Sequence, residues 1–363
     1  MTSRRRFLFA AVATCASLAK AQTAAPKRIH WMAKLDRYDG VSVYIRRAFA
    51  AQGLVEGRDV VVTFEWIPPE PGYGDGVSPK TAERHAQRIV GLRPDIIVTE
   101  AHDIVEFLPK LTRDIPIVFY NMGGLPEGFP GIESQRRPGG NVTGTTMAFD
   151  DMVPKFWELL KEFKPSMKRA GILLEREQRQ NAPEAWRSKD FRQSNRGVAV
   201  ETLARRDPVM NSRTSPDDTL LNLHKRAAVD LGMDILMVHT SSDATGKEIA
   251  QAIAKERVEG AWLATRTQGI LDFVRTTRIP TVANDYHRLV KDGGAIAGLA
   301  WNLHEGEEYA VTVVKRVLQG EKPGTIPIYR MNNWRLELNV TAARRSGIEI
   351  PAAIRVRAQD IYN

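Results

Sequence analysis

From Arg28 onward, short apolar runs alternate with amphipathic stretches along most of the chain. "RIHWMA" (28–33) predicts a strand, and "VSVYIRRAFAAQG" (41–53) predicts a helix. In that helix Val41, Tyr44, Ile45, Ala48 and Phe49 share one face, and Gly53 stops it. "DVVVTFEW" reads as a second strand, followed by a Pro/Gly loop over 67–79. "KTAERHAQRIVGL", "PDIIVTE", "DIVEFLPKLTR" and "IPIVFYN" continue as helix, strand, helix and strand, and "GNVTGTT" begins a fifth strand. This is the rhythm of βαβ units and a parallel sheet.

A second series starts near Phe149. "PKFWELLKEF" predicts a helix with Pro154 in its first turn, where a missing N–H costs nothing. "RAGILLE" is a strand, and alternation runs on through "DTLLNLHKRAAVDLG", "MDILMVHTS", "GKEIAQAIAKER", "VEGAWLATR", "GILDFVRTT" and "IPTVAND". "GGAIAGLAW", a helix over 305–318 and an extended piece over 326–340 complete it. Residues 176–216, rich in Arg, Gln, Asn and Ser, break the pattern; one strand near Val198–Leu203 inside a surface excursion is expected there.

The first residues change how the charge is read. Arg4, Arg5 and Arg6 precede an uncharged run from Phe7 to Ala19, and Ala19-Lys20-Ala21 offers the small-large-small pattern of a signal peptidase site. Ser-Arg-Arg-x-Phe-Leu at 3–8 matches a twin-arginine export signal, so residues 1–21 are expected to be a cleaved signal peptide and the mature chain periplasmic. An uncleaved anchor is the alternative, and Cys15 after Val12-Ala13-Thr14 leaves lipidation open. Cleavage removes Arg4, Arg5, Arg6 and Lys20, so the formal charge falls from +9 to +5. That balance gives no footing for a nucleic-acid partner. The mature chain then has no cysteine, which excludes disulfides and thiolate chemistry.

The mature length, about 340 residues, exceeds what one core usually serves and predicts two domains. Four stretches together carry a resemblance: "QGLVEGRDVVVTFEW", "LRPDIIVTEA", "IPIVFYNMGGLPEGF" and "RRPGGNVTGTT". With the tail "LQGEKPGTIPI…ELNVTAARRSGIEIPAAI", they make the chain similar to the solute-binding proteins of bacterial ABC importers, in the group related to tryptophan and other amino-acid binders. The resemblance covers most of the mature chain except 176–216, which stands as an atypical insertion in the second lobe. It implies an α/β fold of two doubly wound parallel-sheet lobes of the periplasmic binding protein type I kind, joined by three hinge crossovers. Mapped here, the first lobe spans about 27–148 plus 287–321 and the second about 149–286 plus 322–363. It further implies capture of a small polar ligand, an amino acid or a related compound, and delivery to an ABC permease in the inner membrane.

Ligands of open parallel sheets sit beyond the carboxyl ends of the strands, so the loops there supply the candidates. Tyr38 and Asp39 precede the first helix, where they either meet ligand or serve as surface residue and cap. Thr99, Glu100 and His102 follow the third strand; Glu100 and His102 depart from the small, hydroxyl-rich loop of the family, and Glu100 favours an amino group over a simple carboxylate ligand. Asn121 offers a donor and an acceptor beside Gly123 and Gly124, although turn geometry alone also explains those glycines. In the second lobe Glu175, Thr265, Arg266, Asn284 and Asp285 end strands, and Asp285 is the expected partner of a bound α-ammonium group. Trp301 lies near an expected crossover.

Catalysis finds little support in the sequence. The seven histidines show no metal-binding spacing, and "HEGEE" (304–308) reads as acids favoured at a helix start. No nucleophile elbow, phosphate loop or cofactor motif is present, so no cofactor or metal is expected. A periplasmic sensor for a membrane receptor and an exported α/β enzyme are the two other functions this architecture allows.

Overall fold

A computed structural model describes residues 25–33, 40–70, 76–122, 130–175, 197–204, 219–284 and 289–363. The proposed leader, Tyr38, Asp39, Gly123, Gly124, Asp285 and most of 176–216 lie outside those residues.

The first half runs β1 (Lys27–Ala33), α1 (Val41–Ala51), β2 (Val60–Trp66), α2 (Pro79–Gly91), β3 (Ile96–Thr99), α3 (His102–Val105), α4 (Leu108–Leu111), β4 (Ile117–Met122) and β5 (Val142–Met147). The second half runs α5 (Phe149–Phe163), β6 (Arg169–Glu175), β7 (Val198–Ala204), α6 (Thr219–Asp230), β8 (Asp234–Thr240), α7 (Gly246–Lys255), β9 (Ala261–Leu263), α8 (Gln268–Thr276), β10 (Thr281–Asn284) and β11 (Ala297–Trp301). After it come α9 (Leu303–Leu318), β12 (Tyr329–Met331), β13 (Trp334–Asn339), α10 (Val340–Ser346), α11 (Ala352–Arg357) and β14 (Asp360–Tyr362).

These segments form two doubly wound sheets, as the resemblance implies. The first has six strands in the order β12-β5-β4-β3-β1-β2, all parallel. The second has eight, β14-β13-β11-β10-β9-β6-β8-β7, with a parallel centre from β11 to β8. Strands such as β3, "IIVT", and β4, "IVFYNM", are buried along their whole length, as a parallel sheet covered by helices on both faces requires. β7 pairs antiparallel with β8 and forms one edge of the second sheet.

Local chemistry explains where helices begin. Ser78 caps α2 by accepting from the Thr81 N–H, with Pro79 in the first turn. Thr245 and Glu248 form a reciprocal capping box on α7. α5 departs from expectation. It starts at Phe149, so Pro154 lies in the second turn rather than the first, and the N–H it lacks would have met the Asp150 carbonyl.

Three short crossovers join the sheets: Ala148 between β5 and α5, Asn302 between β11 and α9, and 332–333 between β12 and β13. Two of them correct the expected lobe boundaries. β11 pairs with β10 and β13 in the second sheet, so residues 289–301 stand with the second lobe rather than the first. β12 pairs with β5, so the first lobe reclaims the chain through Met331 rather than ending at 321. α9 covers the first sheet, where Ala310, Val311, Val313 and Val314 pack with Trp31, Val60 and Tyr120. Each large apolar side chain buried this way contributes about 1.5–3 kcal/mol.

Candidate functional site

Strand direction decides where a ligand can sit. β5, β11 and β12 all run toward the crossovers, and the parallel strands beside them share that direction. The carboxyl-end rims of both sheets therefore open on the crossover side. In the first sheet, chain order reverses between β1 and β3; in the second, between β6 and β9. Such switch points leave a crevice where the loops diverge to opposite faces.

Five candidates border these two crevices. Thr99 ends β3 and Glu100 follows it; Glu175 ends β6; Thr265 and Arg266 follow β9. Thr99 is fully buried and its hydroxyl accepts from the Ala101 N–H at 2.9 Å, so it shapes its own loop. Glu100 and Glu175 are half-buried, Thr265 is buried and Arg266 is exposed. His102 opens α3, and its side chain is outside the described part. Asn284 ends β10 on the same rim, with its side-chain oxygen buried and without a hydrogen-bond partner among the described residues.

Asn121 and Trp301 sit elsewhere on the rims, in the packing of the crossovers. The Asn121 amide donates to the Leu303 carbonyl at 3.1 Å. Trp301, 8% exposed, joins the hydrophobic cluster of Met152, Met331 and Leu336 and meets the Trp334 ring edge to face. Both side chains brace the junction of the two sheets.

An acidic and aromatic group on the first rim extends the reading of "HEGEE" as acids at a helix start. α9 begins directly after the second crossover, and its first turns carry His304, Glu305, Glu307 and Glu308. Glu307 is 4% exposed and accepts from His304 Nδ1 at 2.8 Å. Burial raises the Glu307 pKa; the His304 contact opposes the shift, and the negative charges of Glu100 and Glu308 add to it. The Tyr44 ring lies against His304 at 3.9 Å between centroids, tilted by 31°, and its hydroxyl donates to Glu308. Beneath them Tyr120 is fully buried, accepting from Trp31 Nε1 at 2.9 Å. Burial drives its pKa up, with Glu100 and Glu307 adding to the effect.

The "HEGEE" acids are thus more than partners of the helix dipole. Glu305 fits that reading, in the first turn and bonded to the Tyr329 hydroxyl at 2.5 Å. Glu307 instead falls on the buried face with Ala310, Val311 and Val314. That spacing is visible in the sequence and is the signal that would have found it. Glu100 is close enough to Glu307 for its charge to raise the Glu307 pKa, and Arg266 stands on the rim of the second sheet. Among the described residues no three or more His, Cys, Asp or Glu side chains gather as a metal site. Nor is any described helix long and apolar enough to cross a membrane.

Comparison with known proteins agrees with this architecture. A family model described as ABC transporter substrate binding protein matches residues 76–212 and 220–362. A conserved domain protein from Vibrio cholerae O1 biovar El Tor is 21% identical, with a TM-score of 0.61 over 92% of this chain and 99% of its own. An ABC domain from Streptococcus pneumoniae in complex with L-Trp is 16% identical, with a TM-score of 0.62 over 93% of this chain and 100% of its own. The ligand-free, open structure of a substrate binding protein with adhesive properties from Clostridium difficile is 16% identical, with a TM-score of 0.60 over 93% and 99%. At these identities the likeness is one of fold. No curated protein matches the chain.

Proposed function

The chain belongs to the ABC transporter substrate binding protein family, and on that premise we propose that it is exported and captures a small polar ligand between its lobes. The ligand is an amino acid or a close relative, handed unchanged to an ABC permease in the inner membrane. The carrying observation is that the two switch-point crevices, bordered by Glu100 on one side and by Glu175, Thr265 and Arg266 on the other, open on the same side as three short crossovers.

The chemistry of the rims supports the ligand class. Glu100, half-buried directly after β3, is the acid this reading assigns to the ligand's ammonium group on the first rim. Arg266 offers a guanidinium to a carboxylate, and Asp285 after β10 is a second acid for the ammonium. A ligand held by both rims favours the closed arrangement by the contacts made only there. Closure also removes water and strengthens each polar contact. The Arg-Arg leader before Ala21 supports export through the twin-arginine route.

A thermal-shift screen of the purified protein against amino acids, sugars and aromatic carboxylic acids tests the reading. At 100 times Kd a ligand stabilises by about 2.7 kcal/mol, well within what melting detects. Amino acids should raise Tm, and Asp285→Ala should remove that shift. A response confined to sugars or to acids without an amino group overturns the ligand class; turnover of a ligand overturns capture without chemistry.

A further inference from the structure

One residue that belongs to none of the crossovers bonds to the chain beside two of them, through its backbone near the first and its side chain near the second. Asn121, near the end of β4, has a left-handed φ of 50°, and the β4–β5 ladder shifts register between Phe119 and Met122 around it. Its backbone N–H donates to Thr145 Oγ1 at 3.0 Å, three residues before the first crossover at Ala148. Its side-chain Nδ2 donates to the carbonyl of Leu303, the residue that follows the second crossover, at 3.1 Å. Oδ1 is buried with no hydrogen-bond partner among the described residues and rests on Gly306, where a Cβ would overlap it. The same Cβ would lie 2.9 Å from the sulfur of Met331, which leads into the third crossover. Met331 in turn accepts from the Ala148 N–H at 3.1 Å, closing the circuit between the first and third crossovers.

Asn121 thus combines two costs. A left-handed backbone is unfavourable for a residue with a Cβ, though asparagine tolerates it best. A buried carbonyl oxygen without a partner costs about 1–3 kcal/mol. Strain and an unmet acceptor in one residue persist only where the surroundings hold them, and here the surroundings are the junction of the lobes. We infer that Asn121 is a positioning residue that fixes the angle at which α9 leaves the second crossover and so sets the balance between open and closed lobes. Its effect on ligand capture passes through that balance, because apparent affinity scales with the fraction of molecules already competent to bind. That functional consequence rests on the capture proposed above; the positional claim is read without any ligand.

The test uses the full chain with Cys15→Ser, spin labels on cysteines placed at Val43 in α1 and Lys247 in α7, and pulsed dipolar distance measurement. Asn121→Gly keeps the left-handed backbone and deletes the amide; Gly306→Ala keeps the amide and drives a methyl group into it. Circular dichroism confirms that each variant is folded. In the ligand-free protein both substitutions should move the mean interlobe distance by more than about 2 Å or add a second population. A folded Asn121→Gly protein with the parent distance distribution overturns the inference and leaves capture intact. If Asn121→Gly does not fold, the Gly306→Ala distribution decides in the same sense. Failure of the ligand screen overturns capture and leaves the distance result standing.

Discussion

Trp301 and Trp334 face each other across the antiparallel β11–β13 ladder, ring centroids 5.6 Å apart and planes at 89°. Each stands at the mouth of a crossover, Trp301 before Asn302 and Trp334 after 332–333. The pair fastens together the two chain segments by which the second lobe hands over to the first and takes the chain back. Trp301→Ala empties a site in a buried cluster and should cost about 3–5 kcal/mol in urea denaturation. A loss below about 1 kcal/mol would show that the cluster repacks without the ring.

Glu100→Gln keeps the size of the side chain and removes its charge. If Glu100 meets an ammonium group, the variant should lose most of the amino-acid-induced rise in Tm while its ligand-free Tm stays close to the parent. An undiminished rise places the ammonium elsewhere.

Glu307 gives a pH dependence of definite sign. Its folded pKa is raised above the ordinary 4.5, burial being the chief cause. The folded state therefore holds its proton more tightly than the unfolded chain, and the associated stability is lost as pH rises through the folded pKa. Glu307→Gln removes this loss, so unfolding free energy measured from pH 4 to pH 8 should fall less in the variant than in the parent. Parallel profiles would mean that the His304 contact cancels the burial.

Glu65 acts at the acid end with the opposite sign. Hydrogen bonding to His30 at 2.8 Å, with Arg88 also paired to it, holds its carboxyl down at about 2 against burial. Its contribution is present above pH 4.5 and lost as pH falls toward 2. Glu65→Gln should destabilise at pH 7 by something on the order of 1–3 kcal/mol and differ little at pH 2. Equal destabilisation at both pH values would assign its role to shape rather than charge.

Much of the fold was legible because buried parallel strands and helical stripes have different periods. "IIVT" and "IVFYNM" are apolar runs too short for helices, and α9 carries a continuous stripe from Glu307 to Val314. Periodicity says which segments are strands, but not which sheet each joins. "AIAGLAW" is equally apolar in either lobe, and that is why the boundary expected at 286–287 falls instead at Asn302. The rims were legible as positions, since Glu100 follows a predicted strand and Glu175 and Thr265 each end one. The commitments of side chains were not. That Asn121 turns its amide to Leu303, and that Glu307 is buried beside His304, depends on contacts 182 residues apart in one case and on helix rotation in the other.

The order of the strands also bears on how the chain is made. β1 to β5 emerge early from the ribosome, yet the face holding Trp31 and Tyr120 is roofed by α9, and β5 gains its outer neighbour only with β12. The first lobe therefore waits, half-dressed, while the second lobe from α5 to β11 is synthesised. A nascent chain stalled before Leu303 exposes that aromatic face to chaperones and proteases.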